Sequence, residues 1–188
     1  MPWTDEDDLA RAGITCSEFD PQNAVQTFKD IVVALVTKPA AFFRGMLTEG
    51  GFLNPTLFLL ACLVICGFLS TVLRASIWPL LRVPVLGTIS IYMTSVILYL
   101  MSNRLFGGKG SYEATFRITA YSGAVFLIMW VSILDILAFL YGLYLLVLGT
   151  EQVHYIDRAS SVASVVLSAV ASLVLLLLFG FWRVGLIF

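Results

Sequence analysis

FRITAYSGAVFLIMWVSILDILAFLYGLYLLVL, Phe116 to Leu148, is the stretch whose length decides the fold. It is almost continuously apolar, and Asp135 is its only carboxylate. A helix needs ~20 apolar residues to cross a bilayer. The run is too long for one such helix and short for two. We read it as a tight hairpin of two short helices that turns near Trp130 to Asp135. The neighbouring runs agree with a membrane setting. The chain of 188 residues is 60% hydrophobic and 12% charged, whereas a soluble domain carries about a quarter charged residues. The sequence therefore predicts an all-α polytopic membrane protein.

Working outward, Pro55 to Leu73 and Val85 to Met101 are apolar runs of spanning length, and Ala159 to Trp182 is a third. With the hairpin they give five expected transmembrane helices, over about 55–73, 85–102, 116–131, 135–149 and 159–182. They form a membrane domain over 51–188. ASIWPLLRVP, with Pro79 and Pro84, reads as a short link, and 149–158 as a polar loop holding Glu151 and His154. Residues 1–20 read as an acidic mobile tail, with Asp5, Glu6, Asp7 and Asp8 where a signal peptide needs a basic start. Pro2 replaces the glycine that myristoylation requires. Residues 21–50 read as amphipathic helices. Asp20 is an N-cap, Pro21 suits the first helical position, and Val25, Phe28, Ile31, Val32, Leu35 and Val36 share a face. These helices are expected in the membrane interface or on the cytosolic ends of the bundle.

Charge sets the orientation. With the amino terminus in the cytoplasm, Arg11, Lys29, Lys38, Arg44, Arg104, Lys109, Arg117 and Arg158 lie inside, against Arg74, Arg82 and Arg183 outside. That is the positive-inside bias. Trp78, Trp130 and Trp182 then share the outer interface, and the carboxyl terminus is outside. A net charge of −1 gives no electrostatic case for nucleic acid.

FGGKGSYEATFRITAY, Phe106 to Tyr121, has a phosphate-loop look but fails the pattern. Gly110 stands where Ser or Thr is needed, and Asn103 precedes Gly108 by five where glycine is needed. We read it as a cytoplasmic loop and the start of the next helix, with Ser111 as N-cap and Glu113 at the positive helix end.

KPAAFFRGMLTEGGFLNPTLFL (Lys38–Leu59), FGGKGSYEATFRITAYS (Phe106–Ser122) and YLLVLGTEQVHYIDRASSVA (Tyr144–Ala163) together resemble the Yip domain family. These are five-pass membrane proteins named for interaction with Ypt/Rab GTPases. The resemblance implies a cytosolic amino terminus, five spans and no catalytic residues. In eukaryotic members it implies vesicle traffic between Golgi and endoplasmic reticulum. The short acidic amino-terminal segment points to a prokaryotic member, placed in its cytoplasmic membrane.

Inside the spans, Asp135 is a functional candidate because an ionisable group in a bilayer is costly. Thr88, Tyr92, Ser95, Tyr99 and Ser102 make a polar stripe at heptad spacing, which must face protein or water. Asp135, Tyr92, Ser95 and Tyr99 form the candidate intramembrane polar site, with Tyr92 as a hydrogen-bond donor to Asp135. Ser160, Ser164, Ser168 and Ser172 recur every fourth residue and form a helix-packing face. Cys62 and Cys66 read as small packing residues. No catalytic set, cofactor motif or metal-ligand set is expected. The expected function is a non-enzymatic scaffold or membrane-organising, trafficking-like factor. It would be homo-oligomeric in the bilayer, with a cytosolic protein partner for residues 1–50. The alternative is permeation or transport of a small solute, ion or lipid by way of the stripe and Asp135.

Overall fold

The computed structural model describes residues 18–131 and 133–178. Among them every regular element is helical. After a 3₁₀ turn (Pro21–Asn23) come α1 (Ala24–Thr37), α2 (Pro39–Gly45), α3 (Leu53–Arg74), α4 (Trp78–Phe106) and α5 (Tyr112–Ser122). A second 3₁₀ turn (Gly123–Leu127), α6 (Asp135–His154) and α7 (Arg158–Leu178) follow. By length and composition α3, α4, α6 and the Arg158–Leu175 part of α7 are each able to cross a membrane.

Local chemistry sets the boundaries. Asp20 caps the first turn by accepting from the Gln22 amide at 2.9 Å. Pro39 pushes Lys38 out of helical geometry (φ −142°, ψ 59°), which separates α1 from α2. Gly107 adopts φ +67°, and the amide after it returns to the Ser102 carbonyl at 2.9 Å, closing α4. Ser111 caps α5 by accepting from Ala114 at 3.1 Å. Asp157 caps α7 by accepting from the amides of Ala159 and Ser160 at 3.1 and 3.2 Å.

Several expected boundaries shift. The link containing Pro79 and Pro84 is shorter than expected, because α4 starts at Trp78 and takes Pro84 inside it. Pro79 stands in the first turn, where its missing N–H costs nothing. The segment expected as a single helix over 116–131 is helical from Tyr112 to Ser122 and then tightens into the 3₁₀ turn. There Gly123 lies against Leu59 of α3, where a Cβ would meet a Leu59 methyl carbon at 2.6 Å. Helix α6 does begin at the expected turn but continues to His154, so residues expected as loop are helix. The end of the last expected span, with Trp182 and Arg183, lies outside the described residues, as do residues 1–17.

Helices α3 and α4 form an antiparallel hairpin. Small residues bring the two backbones together. A Cβ on Gly67 would stand 3.0 Å from the Pro79 carbonyl, and one on Gly87 would strike Leu63. Helix α5 sits against α3, α4 and α6, and α7 against α4 and α6. From Ala114 through Ala124 every residue of α5 and the start of the 3₁₀ turn is buried.

Helices α1 and α2 each pack one face against the bundle, which agrees with the second of the two placements expected for them. Ile31, Ala34, Leu35, Phe42, Phe43 and Met46 join one apolar core with Phe58, Cys62, Ile118, Tyr121 and Leu145 of the bundle. Tyr141 of α6 donates to the Leu35 carbonyl at 2.7 Å. The buried face is Thr27, Ile31, Ala34 and Leu35. Val25 and Val36, expected on that face, are exposed.

The bundle has two distinct ends. One gathers Gly50–Gly51, the α4–α5 loop and the α6–α7 connection: Gly51 meets Glu113, and Lys109 meets His154. The other gathers the α3–α4 turn and residues 128–131 and 133–134, with Trp78 and Met129 beside Asp135.

Candidate functional site

Three polar constellations lie within the fold, two at the first end and one at the second. The first is built on Arg117, whose side chain is wholly buried in α5. It sits one helical turn after Glu113, with Nε 3.5 Å from that carboxylate. Its Nη2 donates to the Gly51 carbonyl at 2.9 Å and stands 3.0 Å from Glu18 Oε1. Its Nη1 donates to the Leu47 carbonyl at 3.3 Å. Glu113 in turn accepts from the Gly51 amide at 2.5 Å. Gly50 makes this approach possible. It adopts φ +129°, and a Cβ there would lie 2.8 Å from Arg117 Nη2. The guanidinium therefore ties the amino-terminal segment, the loop before α3 and α5 into one unit.

The second is built on His154, also fully buried. Its Nδ1 is 2.9 Å from Asn103 Oδ1, and its Nε2 is 2.9 Å from Thr115 Oγ1. Asn103 also donates to the Gly110 carbonyl at 3.2 Å. The glycines that resemble a phosphate loop enclose this ring: a Cβ on Gly108 or Gly110 would come within 2.8 or 2.9 Å of Nδ1. Their lack of side chains makes room for an imidazole. Sequence reasoning placed His154 in a loop. The signal for its role was the glycine spacing, once a partner for that loop was known. Among the described residues no group of three His, Cys, Asp or Glu side chains is arranged to hold a metal ion.

The third is a cavity of about 580 Å³ at the second end, lined in part by Arg74, Trp78, Arg82 and Asp135. Arg82 lies over the Trp78 ring, 4.8 Å from its centroid. Asp135 Oδ1 is shielded from solvent and accepts no hydrogen bond.

The sequence model of the Yip1 domain matches residues 33–181. The chain belongs to the Yip1 domain family. The match begins inside α1, so the family's domain includes the helices that share the bundle core. No curated protein and no solved structure matches the chain.

Within this Yip1 domain the expected polar residues separate into different places. Tyr92 hydrogen-bonds Thr56 at 2.9 Å and stacks on Phe116 with centroids 4.3 Å apart. It therefore does not serve Asp135, which lies at the far end of α3 from Thr56. Ser95 donates to the Tyr92 carbonyl at 2.8 Å and lies 3.3 Å from the Tyr112 hydroxyl. Tyr99 meets Tyr112 edge to face, with centroids 5.9 Å apart. The stripe on α4 thus faces α3 and α5. On α7, Ser164 and Ser168 are buried, and Ser172 reaches Thr94 of α4 at 3.4 Å. Ser161, which sequence reasoning passed over, donates to the Val147 carbonyl at 2.7 Å. Ser160 instead donates to Asp157 at 2.6 Å.

Proposed function

We propose that this Yip1-domain protein crosses the membrane five times, the third crossing starting with α5 and the 3₁₀ turn. Its amino-terminal segment is cytoplasmic, and it works as a non-enzymatic scaffold: a homo-oligomer that organises the bilayer or recruits a cytosolic protein through residues 1–50. One observation carries this reading. The interior polar side chains with the strongest chemistry are engaged with neighbouring chain segments, Arg117 through both Nη atoms and His154 through both ring nitrogens. A catalytic group needs a free lone pair or proton facing a substrate; these hold loops. By family resemblance, a small GTPase is the class of cytosolic partner.

The alternative, permeation, draws support from the cavity beside Asp135. Reconstitution into liposomes separates the two. The scaffold predicts ion and small-solute flux no greater than in empty vesicles, and particles larger than one protomer in mild detergent. Flux that Asp135→Asn abolishes would overturn the scaffold in favour of permeation.

A further inference from the structure

The cavity at the Asp135 end combines features that nothing in the scaffold reading uses. Arg74 closes α3, Arg82 stands in the second turn of α4, and Asp135 opens α6; all three side chains line one space. Ser70 and Ser76 add two hydroxyls, and the rest of the wall is mostly apolar, with Leu63, Phe126, Ile136 and Phe139. Ile136 and Phe139 also belong to the outward, exposed surface of α6, so the cavity is continuous with the face that meets acyl chains. Its volume of about 580 Å³ is in the range of small-molecule sites, ~300–1,000 Å³.

The charges specify the occupant. Two guanidiniums at the mouth of a membrane cavity attract a phosphate, and Arg does so with a planar fork that matches its oxygens. A carboxylate in the same space repels a purely anionic headgroup and favours a cation beside the phosphate. Asp135 Oδ1 is desolvated and accepts no hydrogen bond, and an acceptor in that condition is costly without a donor. A donor that is also a cation answers both needs, and an ammonium brings N–H groups with its charge. We propose that this cavity binds the headgroup of a single zwitterionic phospholipid with a primary amine, such as phosphatidylethanolamine. The phosphate lies between Arg74 and Arg82, the ammonium donates to Asp135, and the acyl chains leave along Ile136 and Phe139. A choline headgroup carries the same charges but has no N–H to offer, so the site discriminates between the two. The inference rests on the membrane placement of the bundle and is independent of the scaffold role.

Native mass spectrometry of the full chain released from detergent, with phosphatidylethanolamine, phosphatidylcholine and phosphatidylglycerol of matched acyl chains, tests it. Wild type should retain phosphatidylethanolamine over phosphatidylcholine by about tenfold, the worth of one charge-assisted hydrogen bond. Asp135→Asn should bring those two lipids together and raise retention of phosphatidylglycerol. Arg74→Gln, at an exposed position, should weaken all three. Soluble phosphoethanolamine should compete far less well than the lipid; equal competition would make this a solute site and overturn the lipid assignment. Equal retention of the ethanolamine and choline lipids by wild type would overturn the proposal whatever the variants do. So would unchanged selectivity in a folded Asp135→Asn protein. A lipid result of either kind leaves the oligomer and flux measurements free to decide the scaffold reading separately.

Discussion

Removing Arg117 tests the most consequential contact in the fold. Arg117→Ala deletes a fully buried cation, leaves the carboxylates of Glu18 and Glu113 without their counter-charge, and leaves the carbonyls of Leu47 and Gly51 without its side-chain donor. Breaking a buried ion pair from one side costs about 3–5 kcal/mol. The carboxylate side chains are 21% and 26% exposed, so water recovers part of their solvation, and the lower figure of about 3 kcal/mol applies. For a chain of this size that lowers Tm by roughly 6–12 °C. Arg117→Lys keeps the charge but loses the fork that reaches several acceptors at once, and should cost about half as much. The assay is thermal unfolding in detergent followed by reaction of a thiol dye with Cys62, which is fully buried in the native fold. If Arg117→Ala melts within about 2 °C of wild type, the guanidinium does not hold the loop and the reasoning fails. Combining it with Glu113→Gln and Glu18→Gln should recover stability, because a neutral cluster no longer contains orphaned charges.

Gly110→Ala should destabilise by about 1–3 kcal/mol through collision with the imidazole, and His154→Ala should remove most of that penalty. Additive losses in the double variant would show that the glycine serves another purpose. Ser168→Leu should impair folding or assembly, because Ser168 is buried, whereas Val170→Leu at an exposed position should be silent; size-exclusion profiles and melting curves read both. Single cysteines at Lys109 and Ile77, in a background lacking Cys16, Cys62 and Cys66, should react with impermeant reagent from opposite sides, Lys109 from the cytoplasm. Asp157 is held below the usual carboxylate range, first by the Ser160 hydroxyl and then by the Ser160 amide. Its capping contribution is therefore present at neutral pH and is lost as pH falls through that lowered pKa. Amide exchange at Ser160 should show this acid loss of protection in wild type and not in Asp157→Asn.

Hydropathy located what faces lipid. The run Pro55–Leu73 differs from α3 by only two residues at the start and one at the end, because lipid-facing helices must be apolar along their length. The start of α4 was harder to read, since proline usually marks a break: Pro79 sits in the first turn, where its missing N–H costs nothing, but Pro84 stands inside the helix and forgoes one helical hydrogen bond. The amphipathic pattern of α1 was visible, but a pattern alone does not say whether its apolar face meets lipid or protein. Arg117 looked like a topological marker at the start of a span. Its partners Glu18, Leu47 and Gly51 are distant in sequence, so no local spacing announced the cluster. The His154 pocket was hidden for the same reason, its contacts to Asn103 and Thr115 crossing two helices.

Helix α5 has no side exposed to the surroundings, since each residue from Ala114 to Ser122 is covered by protein. That frees it from the requirement for oily side chains and lets it carry Thr115, Arg117, Thr119 and Ser122. The same freedom has a cost during biogenesis. A segment with a buried arginine and several hydroxyls gains little from entering lipid alone, and the 3₁₀ backbone that follows it is tolerable in a bilayer only when neighbours enclose it. The α3–α4 hairpin is therefore the part able to insert early, and the middle of the molecule is completed last, when α6 arrives to close over it. Lesions in α5 should accordingly surface as poor yield and degradation during synthesis.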